Sequence, residues 1–193
     1  MTSRPGARAR VAAAVGILAL VAACGGEGKD RNTDGFVSGD GTITKVDVAD
    51  RKKAPVLEGD GIDGKPLSTA DFADKTIVVN VWGPWCAPCR AEASDLKLVS
   101  EEYADKGVQF VGILNRSDRD TALAFNRTKD ITYPSFDDQG GSLELKFVDS
   151  LPTQAIPTTW IIDDEGRVAV RIMDEVSAST LANLIDDVQK STS

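Results

Sequence analysis

The feature of this sequence that most constrains its fold is a pair of cysteines placed between a strand and a long helix. The run Thr76–Trp82 is β-branched and apolar, which predicts a strand buried on both faces. Cys86 and Cys89 follow after a short turn, and apolar residues then recur at helical spacing as far as Gly107. The cysteine pair is therefore expected at the amino terminus of the helix.

This position favours thiol–disulfide chemistry. Unpaired backbone amides and the helix dipole stabilise a thiolate, so we expect Cys86 to be the attacking sulfur. Cys89 lies three residues on, within one helical turn, and can resolve a mixed disulfide. A structural zinc site is the alternative for this spacing, but it needs two further Cys or His ligands. The chain has no histidine, and its third cysteine is the distant Cys24, so redox chemistry is favoured.

Composition narrows the possible functions further. With 193 residues the chain can form one domain with appendages. Its formal net charge of -8 argues against a nucleic-acid partner, because phosphate binding needs a basic surface. The absence of histidine excludes histidine metal sites, histidine-ligated haem and catalysis by an imidazole base. We therefore expect no metal and no cofactor.

The amino-terminal segment predicts export. Residues 1–23 have a basic start and an apolar run, Val11–Ala23, that is shorter than the roughly 20 residues of a spanning helix. The end of this run resembles a bacterial lipobox, in which the chain is cut just before a lipidated cysteine, here Cys24. A plain secretory signal and an uncleaved anchor remain alternatives. Residues 24–41 are polar and glycine-rich, which predicts a flexible tether to a domain at 42–193.

The remainder of the chain alternates between strand and helix patterns, which predicts an α/β fold with parallel strands. Expected elements are strands at 42–48, 108–114, 158–162 and 167–172, a turn-rich hairpin at 57–67, a helix from Asp118 to about Arg127, an extended piece at 133–136, a helix through 143–147 and a closing helix around 181–188.

The motifs and their order resemble the thioredoxin superfamily, and more closely its TlpA/ResA-like branch of tethered, extracytoplasmic disulfide reductases, over about residues 50–190. The matching parts are the Trp-Cys-x-x-Cys motif after Val-Asn-Val-Trp, a helical insertion near 118–148, and Ile156-Pro157-Thr158-Thr159 followed by Asp163-Asp164-Glu165-Gly166. The resemblance implies a thioredoxin-like fold, with a central mixed β-sheet flanked by helices, an N-terminal β extension and a central helical insertion.

The resemblance also implies roles for single residues. Pro157 is expected to be a cis-proline beside the redox pair, with the backbone of Ile156 offering hydrogen bonds to the substrate. Glu92, one helical turn after Cys89, corresponds to an active-site glutamate that shuttles protons. We further expect Trp85 to shield the attacking sulfur and to form part of the docking surface.

Asn80 departs from the pattern of the cytoplasmic thioredoxins. It occupies the position at which they carry a buried aspartate that assists proton transfer, and an amide cannot titrate. Glu92 is therefore the better acid–base candidate. Asn80 itself is expected to be structural and to bond locally.

The leading functional hypothesis is a monomeric enzyme, held outside the cytoplasm on the cell membrane by an N-terminal lipid. By resemblance it reduces disulfides in exported proteins, including cysteine pairs awaiting haem attachment, and is re-reduced by a membrane electron carrier. An oxidant or isomerase using the same pair is an alternative, because the Ala87-Pro88 dipeptide does not determine the redox direction. A non-catalytic binding module, such as a copper chaperone, has less support, since copper binding normally needs histidine.

Overall fold

A mixed β-sheet of seven strands forms the centre of the residues that the computed structural model describes, 36–38 and 42–192. The sheet order is β1-β2-β9-β8-β5-β6-β7; neighbouring strands among β5, β6 and β7 are parallel, and the other neighbours are antiparallel. The strands, including the separate β3–β4 hairpin, are β1 Phe36–Ser38, β2 Ile43–Val46, β3 Glu58–Asp60, β4 Pro66–Ser68, β5 Thr76–Trp82, β6 Val108–Asn115, β7 Ser135–Asp138, β8 Thr158–Ile162 and β9 Val168–Met173.

The helices are α1 Ala87–Tyr103, α2 Arg119–Lys129 and α3 Ala178–Thr192, with short 3₁₀ segments at Val48–Asp50, Thr69–Phe72, Ala104–Lys106 and Glu144–Asp149. The 3₁₀ turn after α1 ends at Gly107, whose φ of 74° is accessible to glycine at little cost. Asp118 caps α2 by accepting a hydrogen bond from the Thr121 amide. No helix among the described residues is both long and apolar enough to cross a membrane.

The core lies on both faces of the sheet. On one face α1 and α3 pack over β8 and β9 through a cluster that includes Leu96 and Leu184. On the other face Trp160 stacks on Phe147, with ring centroids 3.9 Å apart and planes 7° from parallel. A third cluster, which contains both redox cysteines, lies where β5 and β6 end. The site is thus at the carboxyl edge of the parallel strands, as in other open α/β sheets.

A buried ion cluster connects the amino-terminal extension to the sheet. The Asp163 carboxylate, fully buried, accepts hydrogen bonds from Arg51 Nη1 at 3.1 Å and from Arg167 Nε at 3.0 Å. Arg51 also donates to the Val46 carbonyl and to Ser191 near the end of α3. Since a buried carboxylate needs charged partners, this cluster holds the extension, the β8–β9 turn and α3 together.

The observed elements confirm the predicted fold class and differ from the sequence-based prediction in two places. The predicted tether runs to residue 41, whereas Phe36–Ser38 form a strand paired antiparallel with β2. The reason is that β2 presents an edge with backbone groups open to pairing, which composition does not reveal. The predicted helix through 143–147 is a 3₁₀ segment, Glu144–Asp149, in which Phe147 is buried and Leu145 is exposed, and short 3₁₀ segments of this kind are common as connectors. The signal segment, Cys24 and the tether residues up to 35 and at 39–41 lie outside the described residues.

Candidate active site

The two cysteines occupy the junction between β5 and α1. Every residue of β5 is buried, and the chain turns sharply after Trp82 to enter α1. Cys86 is the capping residue, and its Sγ accepts a hydrogen bond from the Cys89 amide at 3.2 Å. Pro88 lies in the first turn of the helix, where a missing N–H costs little. The structure therefore places the first sulfur at the helix amino terminus, against a backbone amide.

Cys86 and Cys89 form a disulfide with an S–S distance of 2.06 Å, and each residue is only 3% exposed. The Ile156–Pro157 peptide bond is cis, as the resemblance implies, and it adjoins the pair. Cys86 Sγ lies 3.8 Å from the Ile156 carbonyl oxygen. A disulfide sulfur has no proton to donate, so this is a contact in the oxidised form and becomes a possible hydrogen bond in the thiol form.

Trp85 covers the turn before the cysteines and remains half exposed. Its indole Nε1 donates to the Asn115 carbonyl at the end of β6, 3.0 Å away. Gly83 makes room for the ring, because a Cβ at that position would lie 2.5 Å from the indole nitrogen. Neither Gly83 nor Asn115 was expected from the sequence to shape the site. The glycine between two tryptophans was an available signal of close approach, whereas Asn115 offered none.

Glu92 lies on the same face of α1 as Cys89, one turn further on, and is 2% exposed. Its Oε1 accepts from Asn80 Nδ2 at 2.9 Å, and its Oε2 accepts from the Val176 amide at 3.2 Å. The same Asn80 nitrogen also donates to Thr159 Oγ1 at 3.0 Å. The expectation that Asn80 bonds locally is wrong: its partners are 12 and 79 positions away, on α1 and β8.

The environment of Glu92 brings its titration close to neutral pH. Burial raises the pKa of Glu92 from 4.5 to about 7, against the opposing hydrogen bonds from Asn80 and Val176. The carboxylates of Glu175 and Asp174 raise this pKa further. A buried carboxyl that can be charged or neutral near pH 7, one turn after the second cysteine on the same helical face, is chemically suited to exchange protons.

The arrangement supplies the parts that dithiol exchange requires. A sulfur at a helix terminus can attack, a second sulfur one turn away can resolve, and a titratable carboxyl lies on the same helical face. Among the described residues, no group of three side chains is placed to hold a metal ion.

Comparison with known proteins agrees with this chemistry. A family model described as Redoxin matches residues 43–185. The thiol-disulfide oxidoreductase ResA of Bacillus thuringiensis subsp. konkukian is 29% identical over 156 residues, which are 80% of this chain and 87% of that protein.

Two solved structures have the same fold at higher identity. A DsbF homologue from Corynebacterium diphtheriae is 34% identical with a TM-score of 0.69, over 79% of this chain and 97% of that one. A secreted thiol-disulfide isomerase from Corynebacterium glutamicum is 32% identical with a TM-score of 0.68, over 78% and 96% of the two chains. The thioredoxin-like fold implied by the motifs is thereby confirmed.

The raised pKa of Glu92 predicts a specific dependence of stability on pH. The folded protein retains a proton that the unfolded chain releases, so the free energy of unfolding falls as pH rises from about 4.5 to about 7. This fall, on the order of 3 kcal/mol, should be absent from Glu92→Gln. Urea unfolding of the disulfide form between about pH 4 and pH 8 measures the difference between the two proteins.

Glu101→Gln, the same change at an exposed position of α1, serves as the control. Its unfolding free energy should follow that of the unmodified protein across the pH range. A difference between the unmodified protein and Glu92→Gln that does not vary with pH would contradict the assignment.

Proposed function

Because the chain belongs to the redoxin family and is a thiol–disulfide oxidoreductase of the TlpA/ResA-like kind, we propose that it reduces disulfides of exported proteins outside the cytoplasm. The observation that carries the proposal is the Cys86–Cys89 pair at the start of α1, with a buried carboxyl one turn later. The reductase direction rests on the resemblance of the motifs to the TlpA/ResA-like branch, and the 29% identity to the oxidoreductase ResA supports that assignment.

The reaction begins from the dithiol. The Cys86 thiolate attacks one sulfur of the substrate disulfide and forms a mixed disulfide, while the other substrate sulfur leaves as a thiolate. Glu92 then takes the proton of Cys89, whose thiolate attacks Cys86 Sγ and releases the second substrate sulfur. Two electrons pass to the substrate, and the enzyme is left with the Cys86–Cys89 disulfide. A membrane electron carrier then returns two electrons and two protons.

Substrate docking is assigned to the surface around the exposed tryptophan and the cis-proline. Trp85 offers an exposed aromatic face next to the sulfur, and the Ile156 carbonyl lies 3.8 Å from Cys86 Sγ. An extended substrate segment that hydrogen-bonds to the Ile156 backbone would bring its disulfide against Cys86. Cysteine pairs that await haem attachment are one such class of substrate. In this proposal the enzyme acts as a monomer.

A second candidate function is the isomerisation or formation of disulfides by the same pair. The observation that favours it is the 32% identity to the secreted isomerase from Corynebacterium glutamicum, which this chain covers almost completely. The two functions share the residues and differ in the reduction potential of the pair.

We expect the purified protein to accelerate the reduction of insulin by dithiothreitol. Cys86→Ser should abolish the acceleration, because the attacking sulfur is lost. Glu92→Gln should slow it by roughly a hundredfold at neutral pH, because Cys89 loses its base. Turbidity from the precipitating insulin chain measures the rate.

Cys24→Ser is the matched cysteine control and should keep full activity, because Cys24 is absent from the proposed exchange. Equal insulin reduction by the unmodified protein and Cys86→Ser would refute the assignment of the site.

We also propose that Cys24 carries lipid and anchors the protein to the outer face of the cell membrane. The lipobox-like run ending at Cys24 supports this, and the polar residues after it provide a tether. A single acyl chain gives only marginal binding, so multiple acylation is needed for stable attachment.

Membrane fractionation of cells that express the full chain tests the anchor. The unmodified protein and Cys86→Ser should sediment with membranes, and mass spectrometry should find an acylated amino-terminal Cys24. Cys24→Ser should lose the acyl mass and leave the membrane fraction. An unacylated Cys24 in the membrane-bound protein would contradict the proposal.

A further inference from the structure

A pocket of about 410 Å³ lies beside Glu92. Ile43 of β2 forms one wall, Ala91 and Asp95 of α1 form a second, and Glu175 and Thr180, before and in α3, form a third. The Glu92 side chain belongs to the lining, although the residue is almost fully buried. Glu92 therefore borders an open space whose lining includes neither cysteine of the disulfide.

We propose that this pocket is the route by which Glu92 exchanges its proton with solvent during catalysis. The inference rests on the proposed thiol–disulfide exchange and goes beyond it by assigning a function to the pocket walls. Ala91 and Thr180 keep the route open, and Asp95 and Glu175 line it with carboxylates. These four residues have no contact with the reacting sulfurs in this proposal; they affect the reaction only by allowing Glu92 to exchange its proton.

The disulfide face is poorly suited to be the proton route. Cys86 and Cys89 are each 3% exposed and pack with Trp82, Leu114 and the partly buried Ile156. A docked substrate would cover this face further while Cys89 is being deprotonated. A proton accepted by Glu92 at that moment needs another exit, and the pocket offers one that neither cysteine lines.

The charges around the pocket favour the passage of a proton through it, while Glu175 and Asp174 also raise the pKa of Glu92 and so hold its own proton more tightly. No lysine or arginine is among its lining residues, while Asp95 and Glu175 face it and Asp174 lies in the same loop. On its other sides, the Glu92 carboxyl accepts a hydrogen bond from the neutral Asn80 amide. The phenol of Tyr133 is also near: its pKa is raised chiefly by burial and further by the charge of Glu92. Carboxylates along an exit favour hydronium near Glu92 and can relay protons to bulk water.

The proton balance is simple. Cys89 S–H gives its proton to the Glu92 carboxylate, and the Cys89 thiolate then attacks Cys86 Sγ and displaces the substrate thiolate. Glu92, now neutral, gives the proton to water in the pocket and regains its charge. The electron pairs move only between sulfurs, so the pocket needs no redox partner.

The test closes the pocket from two opposite walls, by Ala91→Phe on α1 and by Thr180→Trp on α3. Ser179→Trp adds the same bulk to α3 at an exposed position outside the lining and is the matched control. The dithiol form reacts with a chromogenic aromatic disulfide in a rapid-mixing instrument. The first coloured thiolate reports attack by Cys86, and the second reports attack by Cys89 on the mixed disulfide.

Each protein is held before mixing either at about pH 5 or at about pH 8, and both samples react at pH 8. In the unmodified protein and in Ser179→Trp, the second phase should not depend on this history, because the proton of Glu92 leaves rapidly. In the two closed variants, the second phase should be about tenfold slower after acid incubation, because proton release then waits for local opening. The history effect should vanish when Glu92→Gln is added, because no proton is held there.

The outcomes separate this inference from the proposed function. A protein that gives no coloured thiolate in either phase would refute exchange by Cys86 and Cys89. The proton route would be overturned if both closed variants fold, their crystal structures show the pocket filled, and their second phase is the same after incubation at either pH. The assignment of exchange to Cys86 and Cys89 would then still stand. A history effect that persists in the Glu92→Gln background would also overturn the route.

Discussion

The junction between β5 and α1 is the constraint on which the site depends. All seven residues of β5 are buried between parallel and antiparallel neighbours, so the strand cannot shift without disrupting both faces of the core. α1 leaves this strand after a turn stabilised by the Trp85–Asn115 hydrogen bond and packs back on the sheet through Leu96 and Val99. The amino terminus of α1 is thereby fixed at the sheet edge, and Cys86 lies where the amides of α1 can stabilise a thiolate.

The buried carboxyl of Glu92 lowers the stability of the folded protein at neutral and higher pH. Burial of the Glu92 carboxyl raises its pKa to about 7, and above that pH the folded protein must hold the charge. The Asn80 amide and the Val176 N–H limit this cost by donating to the two oxygens. Buried ionisable groups with a pKa near 7 are typical of catalytic sites, because such groups can both accept and release a proton at neutral pH. The proposed proton route through the pocket that Glu92 lines is consistent with this, since a group proposed as a base must also release the proton that it accepts.

Local sequence patterns predicted the strands and helices that position the site, whereas they could not predict contacts between residues far apart in the chain. The β-branched run of β5 and the helical spacing of α1 each lie within one segment, so both elements and the cysteine position could be read from sequence. The Asn80–Glu92 bond needs β5 to face α1, and the Val176 contact joins residues 84 positions apart, which no local pattern encodes. The cis bond before Pro157 followed only from family resemblance, because proline alone favours trans.

Whether the Cys86–Cys89 pair serves as a reductant is decided by its reduction potential. The pair would be equilibrated in glutathione or dithiothreitol buffers and its thiol content measured at each ratio. A reductant should have a potential near or below that of thioredoxin, about -270 mV. A value near that of the strong oxidant DsbA, about -120 mV, would contradict the proposed reductase function and assign the protein to disulfide formation.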